Sequence, residues 1–343
     1  MGQAPDSMLW LQRLWLRLTP WHIVLLPLSL LFGLVASLRR SLYRIGLIRA
    51  IRLPVPVVVV GNISVGGTGK TPLVLWLAGF LRQQGYRPGI ISRGYGGSTQ
   101  ATMAVEAGSD PAVVGDEPLL LARKSACPVW VGRDRVAAGK SLLRAHPECD
   151  VLLSDDGLQH YRLERDVEIV VVDGERQFGN GLLLPAGPLR ERVSRLRSVD
   201  AVVVSGASQK DARLLSNAFE MRLEGEVFCN LRQPNLRARA VVFLGKKLHA
   251  VAGIGNPSRF FTHLRNLGLT FEEHAFPDHC AFRPQDLDFE NADMLLMTEK
   301  DAIKCTDFAD ERYWSLAVEA VLPPTFGQTV LQKLRDIDGR KIV

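Results

Sequence analysis

The sequence predicts an α/β fold: a mostly parallel sheet with helices on both faces, a smaller C-terminal α/β domain and an N-terminal membrane-associated helix. Three observations point to this fold. Strand-like apolar runs, expected near residues 55, 89, 128, 151, 168 and 201, alternate with helix-like segments. A glycine-rich loop follows the first run, and an uncharged apolar stretch occupies residues 21–38. The length of 343 residues allows more than one domain.

The pattern divides the chain into four segments. Residues 1–53 form an apolar and basic helical segment, and residues 54–218 form the core that contains the parallel sheet. Short alternating stretches predict a two-stranded linker over residues 219–245. Residues 246–343 are predicted to form the smaller domain, with a strand at LHAVAGIG, a helix over 257–267 and strands at TFEEHAF, DMLLMT and SLAVEAVL.

Composition excludes several classes of protein. With 47% hydrophobic and 23% charged residues, the chain is neither disordered nor of low complexity. Its five cysteines are scattered and include no C-x-x-C pair, which indicates a reducing compartment rather than a disulfide framework or a zinc knuckle. The sequence shows no nucleic-acid-binding motif, so we expect no nucleic-acid partner, and it indicates no obligate protein partner.

The net charge of +6 is unevenly distributed. Residues 7–105 contain eleven Lys and Arg residues and no Asp or Glu, so residues 1–105 carry +10 and residues 106–343 carry −4. A one-sided basic segment indicates an anionic partner. Because the sequence disfavours nucleic acid, the basic segment of residues 1–105 predicts two kinds of anionic partner, a membrane surface and phosphate ligands.

The uncharged run from Trp21 to Leu38 has eighteen residues, which is the lower limit for a membrane span. Basic residues on both sides and tryptophans at one end favour an interfacial or shallowly inserted helix on an anionic surface. These flanking residues are Trp10, Arg13, Trp15, Arg17, Arg39, Arg40 and Arg44. The alternative is a buried core helix, and the sequence does not decide whether a membrane helix spans the bilayer or lies in it.

A phosphate-binding loop follows the first strand-like run, VPVVVV. The segment SVGGTGKT matches the pattern G-x-x-x-x-G-K-[ST], with Ser64 in place of the first glycine. Its glycines let backbone N–H groups turn toward a phosphate, Lys70 supplies a positive charge, and the Thr71 hydroxyl is placed to hold Mg²⁺. The pattern predicts a P-loop NTPase-type core, and the expected nucleotide-binding residues are Ser64, Val65, Gly66, Gly67, Thr68, Gly69, Lys70 and Thr71.

ATP is the expected nucleotide. GTPases need an N-K-x-D motif to read the base, whereas Thr298-Glu299-Lys300-Asp301 has Lys and Asp adjacent. Two functions remain open at this point: a kinase, or a P-loop ATPase that acts as a switch or chaperone for a partner protein. ATPases of the MinD type carry an additional lysine where this chain has Val65, which disfavours the second function.

Two acidic pairs are candidates for the chemistry. Asp155 and Asp156 end an apolar strand, where a P-loop protein holds its Mg²⁺ or the water around it, although Asp and Gly also favour an ordinary turn. Asp116 and Glu117 open a helix in GDEP, which is typical of an ordinary helix start. A kinase needs a carboxylate to orient or deprotonate the acceptor hydroxyl, and Asp116 is one candidate. Arginines that follow strand-like runs, Arg93 and Arg133 with Arg135, are candidates for clamping phosphate.

These motifs together resemble those of the tetraacyldisaccharide 4'-kinase family, the lipid A 4'-kinases of Gram-negative bacteria. The resemblance rests on VPVVVVGNISVGGTGKTP, ISRGYGG, VGDEP, VGRDR, LLSDDGLQH, IVVVDGERQFGNGLLLPAGPLRE and MTEKDAIK, which occur in this order along nearly the whole chain. It implies an enzyme that moves the γ-phosphate of ATP, with Mg²⁺, to the 4'-hydroxyl of a lipid A disaccharide 1-phosphate, giving lipid IVA. It also implies a location on the cytoplasmic face of the bacterial inner membrane.

The resemblance also assigns roles to residues. It makes Asp116 the catalytic base, assisted by a histidine of an F-x-D-H-H-like motif that falls on His279, with Cys280 in place of the second histidine. Lys70 is the third catalytic residue, and Asp155 and Asp156 hold Mg²⁺ together with the loop threonine. The remaining expected contacts to substrate or phosphate are Arg93, Tyr95, Glu117, Arg133, Gln159, His160 and Arg190. Because His279 and Asp116 lie in different predicted domains, we expect the active site in a cleft that closes when ATP binds.

Overall fold

The strands in the described part of the chain form two sheets. The structure, a computed structural model, describes residue 15, residues 19–206 and residues 217–339. In chain order the strands are β1 (Val57–Gly61), β2 (Pro88–Ser92), β3 (Met103–Val105), β4 (Val129–Val131), β5 (Val151–Asp155), β6 (Val167–Asp173), β7 (Ala201–Ser205), β8 (Ala218–Glu224), β9 (Val227–Asn230), β10 (Arg237–Arg239), β11 (Leu248–Ala252), β12 (Glu272–Ala275), β13 (Met294–Thr298), β14 (Tyr313–Leu316) and β15 (Glu319–Val321).

Helices connect these strands. They are α1 (Trp21–Arg44), α2 (Lys70–Gln83), α3 (Pro111–Val114), α4 (Asp116–Ser125), α5 (Arg135–Ala145), α6 (Pro257–Asn266), α7 (Glu299–Cys305) and α8 (Pro324–Asp338). Short 3₁₀ helices cover Val193–Ser198, Ala240–Phe243 and Pro284–Leu287. Strand and helix alternate around α2, α4 and α5, as the sequence pattern predicts, whereas β5 leads to β6 without a helix.

The larger sheet has nine strands in the order β15-β8-β7-β6-β1-β5-β2-β4-β3. Only the two edge strands, β3 and β15, pair antiparallel with their neighbours. In β1 every residue is buried, because Val58 and Val60 pack with α2 on one face while Val57 and Val59 pack with α5 on the other. This two-sided burial explains the continuous apolar run and confirms the prediction of a mostly parallel sheet covered on both faces.

The smaller sheet has six strands in the order β10-β9-β14-β13-β11-β12, of which β11 to β14 are parallel. Within the predicted two-stranded linker, residues 219–245, β8 pairs with β7 in the larger sheet and β9 pairs with β14 in the smaller one. The predicted strand SLAVEAVL also divides between the two sheets. Half-buried alternating runs look alike in either sheet, so the local pattern could not assign them. The domain limits stay a prediction.

Helix α1 is long and has an unusual distribution of side chains. Its most apolar stretch of eighteen residues has a mean hydropathy of 2.0 and is only 17% buried. The residues that are buried are His22, Ser29 and Gly33, whereas Leu30 is 66% exposed. The alternative of a buried core helix is therefore wrong. The expectations for Trp10, Arg13 and Arg17 lie outside the described residues, and the indole of Trp15 donates a hydrogen bond to the carbonyl of Pro185.

Candidate active site

The phosphate loop lies between β1 and α2, at the carboxyl ends of the parallel strands. Helix α2 begins at Lys70, so free backbone N–H groups of its first turn face the loop. Gly66 and Gly69 have φ values of +105° and +89°, a region that favours glycine. A Cβ on Gly69 would lie 2.8 Å from the hydroxyl of Ser205, so the loop also packs closely against β7. The loop thus combines a bare backbone with a helix N-terminus, which fits a phosphate.

Neighbouring loops hold the backbone of the phosphate loop. The guanidinium of Arg176 donates to the carbonyl of Gly67 over 2.9 Å and lies 3.3 Å from a carboxylate oxygen of Asp173, at the end of β6. The N–H of Val65 donates to the carbonyl of Pro188 over 2.8 Å. These contacts fix the loop before any nucleotide is bound.

Lys70 is directed toward the acidic pair at the end of β5. Its Nζ lies 3.4 Å from Oδ1 of Asp156, and Nη1 of Arg190 lies 3.5 Å from Oδ2 of the same residue. Burial favours the neutral acid, but these two cations outweigh it, so the pKa of Asp156 is lowered. Asp156 is therefore a carboxylate at neutral pH, beside the lysine of the phosphate loop.

Asp155 has a different environment. It is buried, Ser92 donates to its Oδ2 over 3.1 Å, and its Oδ1 has no hydrogen-bond partner among the described residues. Burial and the negative charge of Glu117 raise the pKa of Asp155 to about 7. An unpaired carboxylate oxygen beside a second carboxylate fits a divalent cation with oxygen ligands. Thr71, in the first turn of α2, supplies a hydroxyl at the same loop, so the residues present fit Mg²⁺.

Asp116 and His279 meet across the two sheets. Asp116 is the first residue of α4 and is 5% exposed, while His279 follows β12. Nδ1 of His279 lies 3.0 Å from Oδ1 and 3.1 Å from Oδ2 of Asp116. Burial raises the pKa of Asp116, but the hydrogen bond to His279 and the charge of Lys300 outweigh it, so the pKa is lowered. Burial opposes a charge on His279, yet the Asp116 hydrogen bond leaves its pKa raised.

Lys300 is a residue of the site that sequence reasoning missed. Its Nζ lies 2.9 Å from Glu117, 3.0 Å from Asp278 and 3.8 Å from Asp116. Burial opposes its charge, but these three carboxylates outweigh it and raise its pKa. The available signal was the MTEKDAIK motif, which sequence reasoning used only to exclude a guanine site and to support the resemblance. Lys300 therefore joins acidic residues of both sheets around the Asp116–His279 pair.

The loop that follows β11 of the smaller sheet also contacts the phosphate loop. A Cβ on Gly67 would lie 3.3 Å from the Cα of Gly255, and a Cβ on Gly255 would overlap the backbone nitrogen of Gly67. The same Cβ would lie 3.3 Å from Oδ2 of Asp278. Gly255 thus lies between the phosphate loop and the segment that carries His279. Because Gly255 has no side chain, the two segments approach each other closely.

Several other predicted contacts lie at this site. The ring of Tyr95 lies 4.8 Å from that of His279 between centroids. Arg190 bridges Asp156 and Gln159, whose oxygen it reaches at 3.5 Å. The structure therefore brings Tyr95, Gln159 and Arg190 close to the carboxylates, and Glu117 joins them through Lys300.

The remaining predicted contacts are His160, Arg93 and Arg133. His160 has its Nε2 3.9 Å from Asp134, and burial lowers its pKa to about 4. Arg93 and Arg133 are exposed, whereas Arg135 is buried and carries its charge close to Asp155 and Asp156. Of the two arginines in GRDR, the structure thus turns Arg135 toward the acids, because α5 begins at this residue.

Three features lie together at the carboxyl edge of a parallel sheet: a phosphate loop, an acidic pair suited to a cation, and a carboxylate paired with a histidine. Together they define a P-loop kinase. Comparison with known proteins narrows this class. A model of the family described as tetraacyldisaccharide-1-P 4'-kinase matches residues 21–335.

Individual relatives agree with the family match. The tetraacyldisaccharide 4'-kinase of Methylobacillus flagellatus is 49% identical over 100% of both chains, and that of Azoarcus sp. is 51% identical over 98% of both. A crystal structure of LpxK from Aquifex aeolicus, described as an "apo" form in complex with ATP, has a TM-score of 0.76 at 30% identity. It covers 92% of this chain and 99% of that chain.

The chain belongs to the tetraacyldisaccharide-1-P 4'-kinase family. This confirms the resemblance found in the sequence motifs and the prediction of a kinase. The family is one of kinases, so the alternative function, an ATPase that acts as a switch or chaperone for a partner protein, does not apply.

Proposed function

We propose that the protein transfers the γ-phosphate of ATP to the 4'-hydroxyl of a tetraacylated glucosamine disaccharide 1-phosphate, giving lipid IVA. The observation that carries this proposal is the pairing of Asp116 with His279 beside the phosphate loop. A buried carboxylate that is ionised at neutral pH and oriented by a histidine is able to accept a hydroxyl proton. Family membership supplies the substrate class.

The nucleotide would bind along the phosphate loop. The N-terminus of α2 and Lys70 would hold the β- and γ-phosphates and stabilise the charge that develops during transfer. When bound, Mg²⁺ would neutralise phosphate charge, and we assign it to Asp155, Asp156 and Thr71. The free Oδ1 of Asp155 supports this assignment.

Asp116 would accept the proton of the acceptor hydroxyl as its oxygen attacks the γ-phosphorus, and ADP leaves from the opposite side. A Cβ on Gly96 would lie 3.5 Å from Nδ1 of His279 and 4.0 Å from Oδ1 of Asp116. Because glycine occupies this position, the acceptor can approach the pair. We propose Tyr95 and Arg190 as contacts to the acceptor or to the transferred phosphate, since both lie beside these groups.

The acceptor is a lipid, and α1 is suited to the surface that carries it. Ser29 donates to the carbonyl of Leu183 over 2.7 Å and Gly33 lies against the same residue, so the small and polar face packs onto the protein. The opposite face exposes Trp21, Ile23, Val24, Leu28, Leu30, Leu31, Leu34, Val35 and Leu38. We propose that this face enters the cytoplasmic leaflet of the bacterial inner membrane, with Arg39, Arg40 and Arg44 near anionic headgroups.

The direct test is incubation with γ-labelled ATP, Mg²⁺ and the tetraacyldisaccharide 1-phosphate in detergent. We expect the label in a lipid product with one additional phosphate at the 4'-position, and no transfer when the acceptor already carries a 4'-phosphate. Label that appears only as inorganic phosphate would contradict the proposal.

A further inference from the structure

A cluster of potential metal ligands lies in the smaller sheet, away from the kinase site. His249 is in β11, and Glu272 and His274 are in the neighbouring edge strand β12. Residues two apart on a strand share a face, so Glu272 and His274 project to the same side. His249 stands directly opposite Glu272 in the parallel register. The cluster extends along the β11–β12 pair from Glu272, the first residue of β12, to His274, whereas His279 follows the carboxyl end of β12.

The distances within the cluster suit a metal ion. Nδ1 of His249 lies 2.9 Å from Nε2 of His274 and 3.9 Å from Oε2 of Glu272, and the three ligand atoms all lie within 4.8 Å of one another. Zinc bonds of about 2.1 Å in a tetrahedral site place neighbouring ligand atoms about 3.4 Å apart. Small side-chain rotations would therefore bring all three atoms into coordination and leave a fourth position for water.

The surroundings hold the imidazoles and leave a path for the ion. The ring of Phe289 stacks on His249 at 4.9 Å and on His274 at 3.8 Å between centroids. The Glu272 side chain is 75% exposed, and a cleft of about 640 Å³ opens beside it and His249.

We propose that His249, Glu272 and His274 bind one divalent transition-metal ion per chain, with Zn²⁺ as the ion that two imidazoles and one carboxylate fit. The site would connect the edge strand β12 to β11. Its role would be structural, because the neighbouring kinase-site residues Asp278 and His279 lie beyond the carboxyl end of β12 and pair with Lys300 and Asp116. Mg²⁺ does not compete, since it prefers oxygen ligands.

The experiment is a calorimetric titration of tag-free, full-length protein with ZnCl₂, without ATP and with excess Mg²⁺. Unchanged protein is compared with Glu272→Gln, which alters an exposed side chain, and with His274→Ala. The control is His146→Ala, because His146 lies 3.3 Å from Glu148 in an exposed pair of the same two ligand types without a third. Bound Co²⁺ gives an independent reading through its visible absorption.

We expect one saturable site, a loss of Zn²⁺ affinity of at least ~10-fold in each cluster variant and none in the control. Phosphoryl transfer with Mg²⁺ should be unchanged in Glu272→Gln, so this test is separate from that of the kinase function. The absence of saturable binding, or equal affinity in His274→Ala and the control, would overturn the proposal.

Discussion

Nδ1 of His279 lies 3.0 Å from Oδ1 of Asp116, although 163 residues separate them in the chain. One residue begins a helix against the nine-stranded sheet, and the other follows the edge strand of the six-stranded sheet. The contact therefore forms only when both units pack together. In the proposed reaction, this contact presents a charged, oriented carboxylate to the acceptor hydroxyl.

Lys300 should control the ionisation of Asp116. Replacing it by methionine removes a positive charge 3.8 Å from this carboxylate and leaves Glu117 and Asp278 without their shared partner. The pKa of Asp116 should rise, so the acid limb of the kcat/KM profile should move to higher pH. The measurement is the pH profile of phosphoryl transfer.

The matched control for Lys300→Met is Lys124→Met. Lys124 pairs with Glu299 over 2.7 Å and also joins α4 to α7. Lys124→Met should lower the stability of the protein slightly without moving the pH profile. Lys300→Arg should bring the acid limb part of the way back to its position in the unchanged protein. An acid limb that stays in place in Lys300→Met would show that Lys300 only supports the fold.

Asp155 should make Mg²⁺ binding pH-dependent. Its pKa is raised to about 7 in the metal-free protein, so it binds a proton below this pH and must release it when a cation binds. The affinity for Mg²⁺ should therefore weaken as pH falls below 7, by up to roughly tenfold per unit. Calorimetry with Mg²⁺ and a non-hydrolysable ATP analogue at pH 6 and pH 8 measures this dependence.

Asp155→Asn is the control for that titration. It should bind Mg²⁺ more weakly at pH 8 and lose most of the difference between the two pH values. An equally steep pH dependence in this variant would assign the proton to another group.

The exposed face of α1 should determine membrane binding. Leu30→Glu with Leu34→Glu places two charges on side chains that are 66% and 65% exposed, and each change loses about 2 kcal/mol of apolar burial in a bilayer. Co-sedimentation with anionic vesicles should fall strongly, while ATP binding stays unchanged. Val241→Glu alters a side chain that is 69% exposed outside this face and should bind vesicles normally. Equal sedimentation of all three proteins would contradict the membrane role of α1.

Gly255 should be required for an intact phosphate loop. In Gly255→Ala the new Cβ would overlap the backbone nitrogen of Gly67. Either the phosphate loop or the segment that carries residue 255 must therefore move. We expect ATP affinity to fall by at least ~10-fold, since small displacements of binding groups are costly. Gly108→Ala, where the Cβ meets no described atom within 4 Å, should bind ATP normally. Normal binding by Gly255→Ala would show that the two units are not in close contact at this point.

Local patterns were sufficient for much of the larger sheet and the phosphate loop. Buried parallel strands such as β1 are continuous β-branched runs, and the loop has a fixed spacing of glycines with Lys70. Long-range pairing decides which sheet β8, β9 and β15 each join, and short alternating runs do not specify this pairing. Hydropathy identified α1, but only packing shows that Ser29 and Gly33 face the protein.

The candidate site was predicted residue by residue, while its electrostatics were not. Motifs and the family resemblance pointed to Asp116 and His279, but Lys300 gained its position only from the packing of α7 against α4. Likewise, the choice between Arg133 and Arg135 depends on which side chain the first turn of α5 directs inward.

We expect Asp116 to act on the acceptor hydroxyl in the chemical step. The most direct measurement is single-turnover transfer from γ-labelled ATP by Asp116→Asn, combined with its ATP affinity. We expect the transfer rate to fall by ~100-fold or more with ATP affinity nearly unchanged, because a general base acts only in the transition state. A transfer rate close to that of the unchanged protein would contradict this role of Asp116.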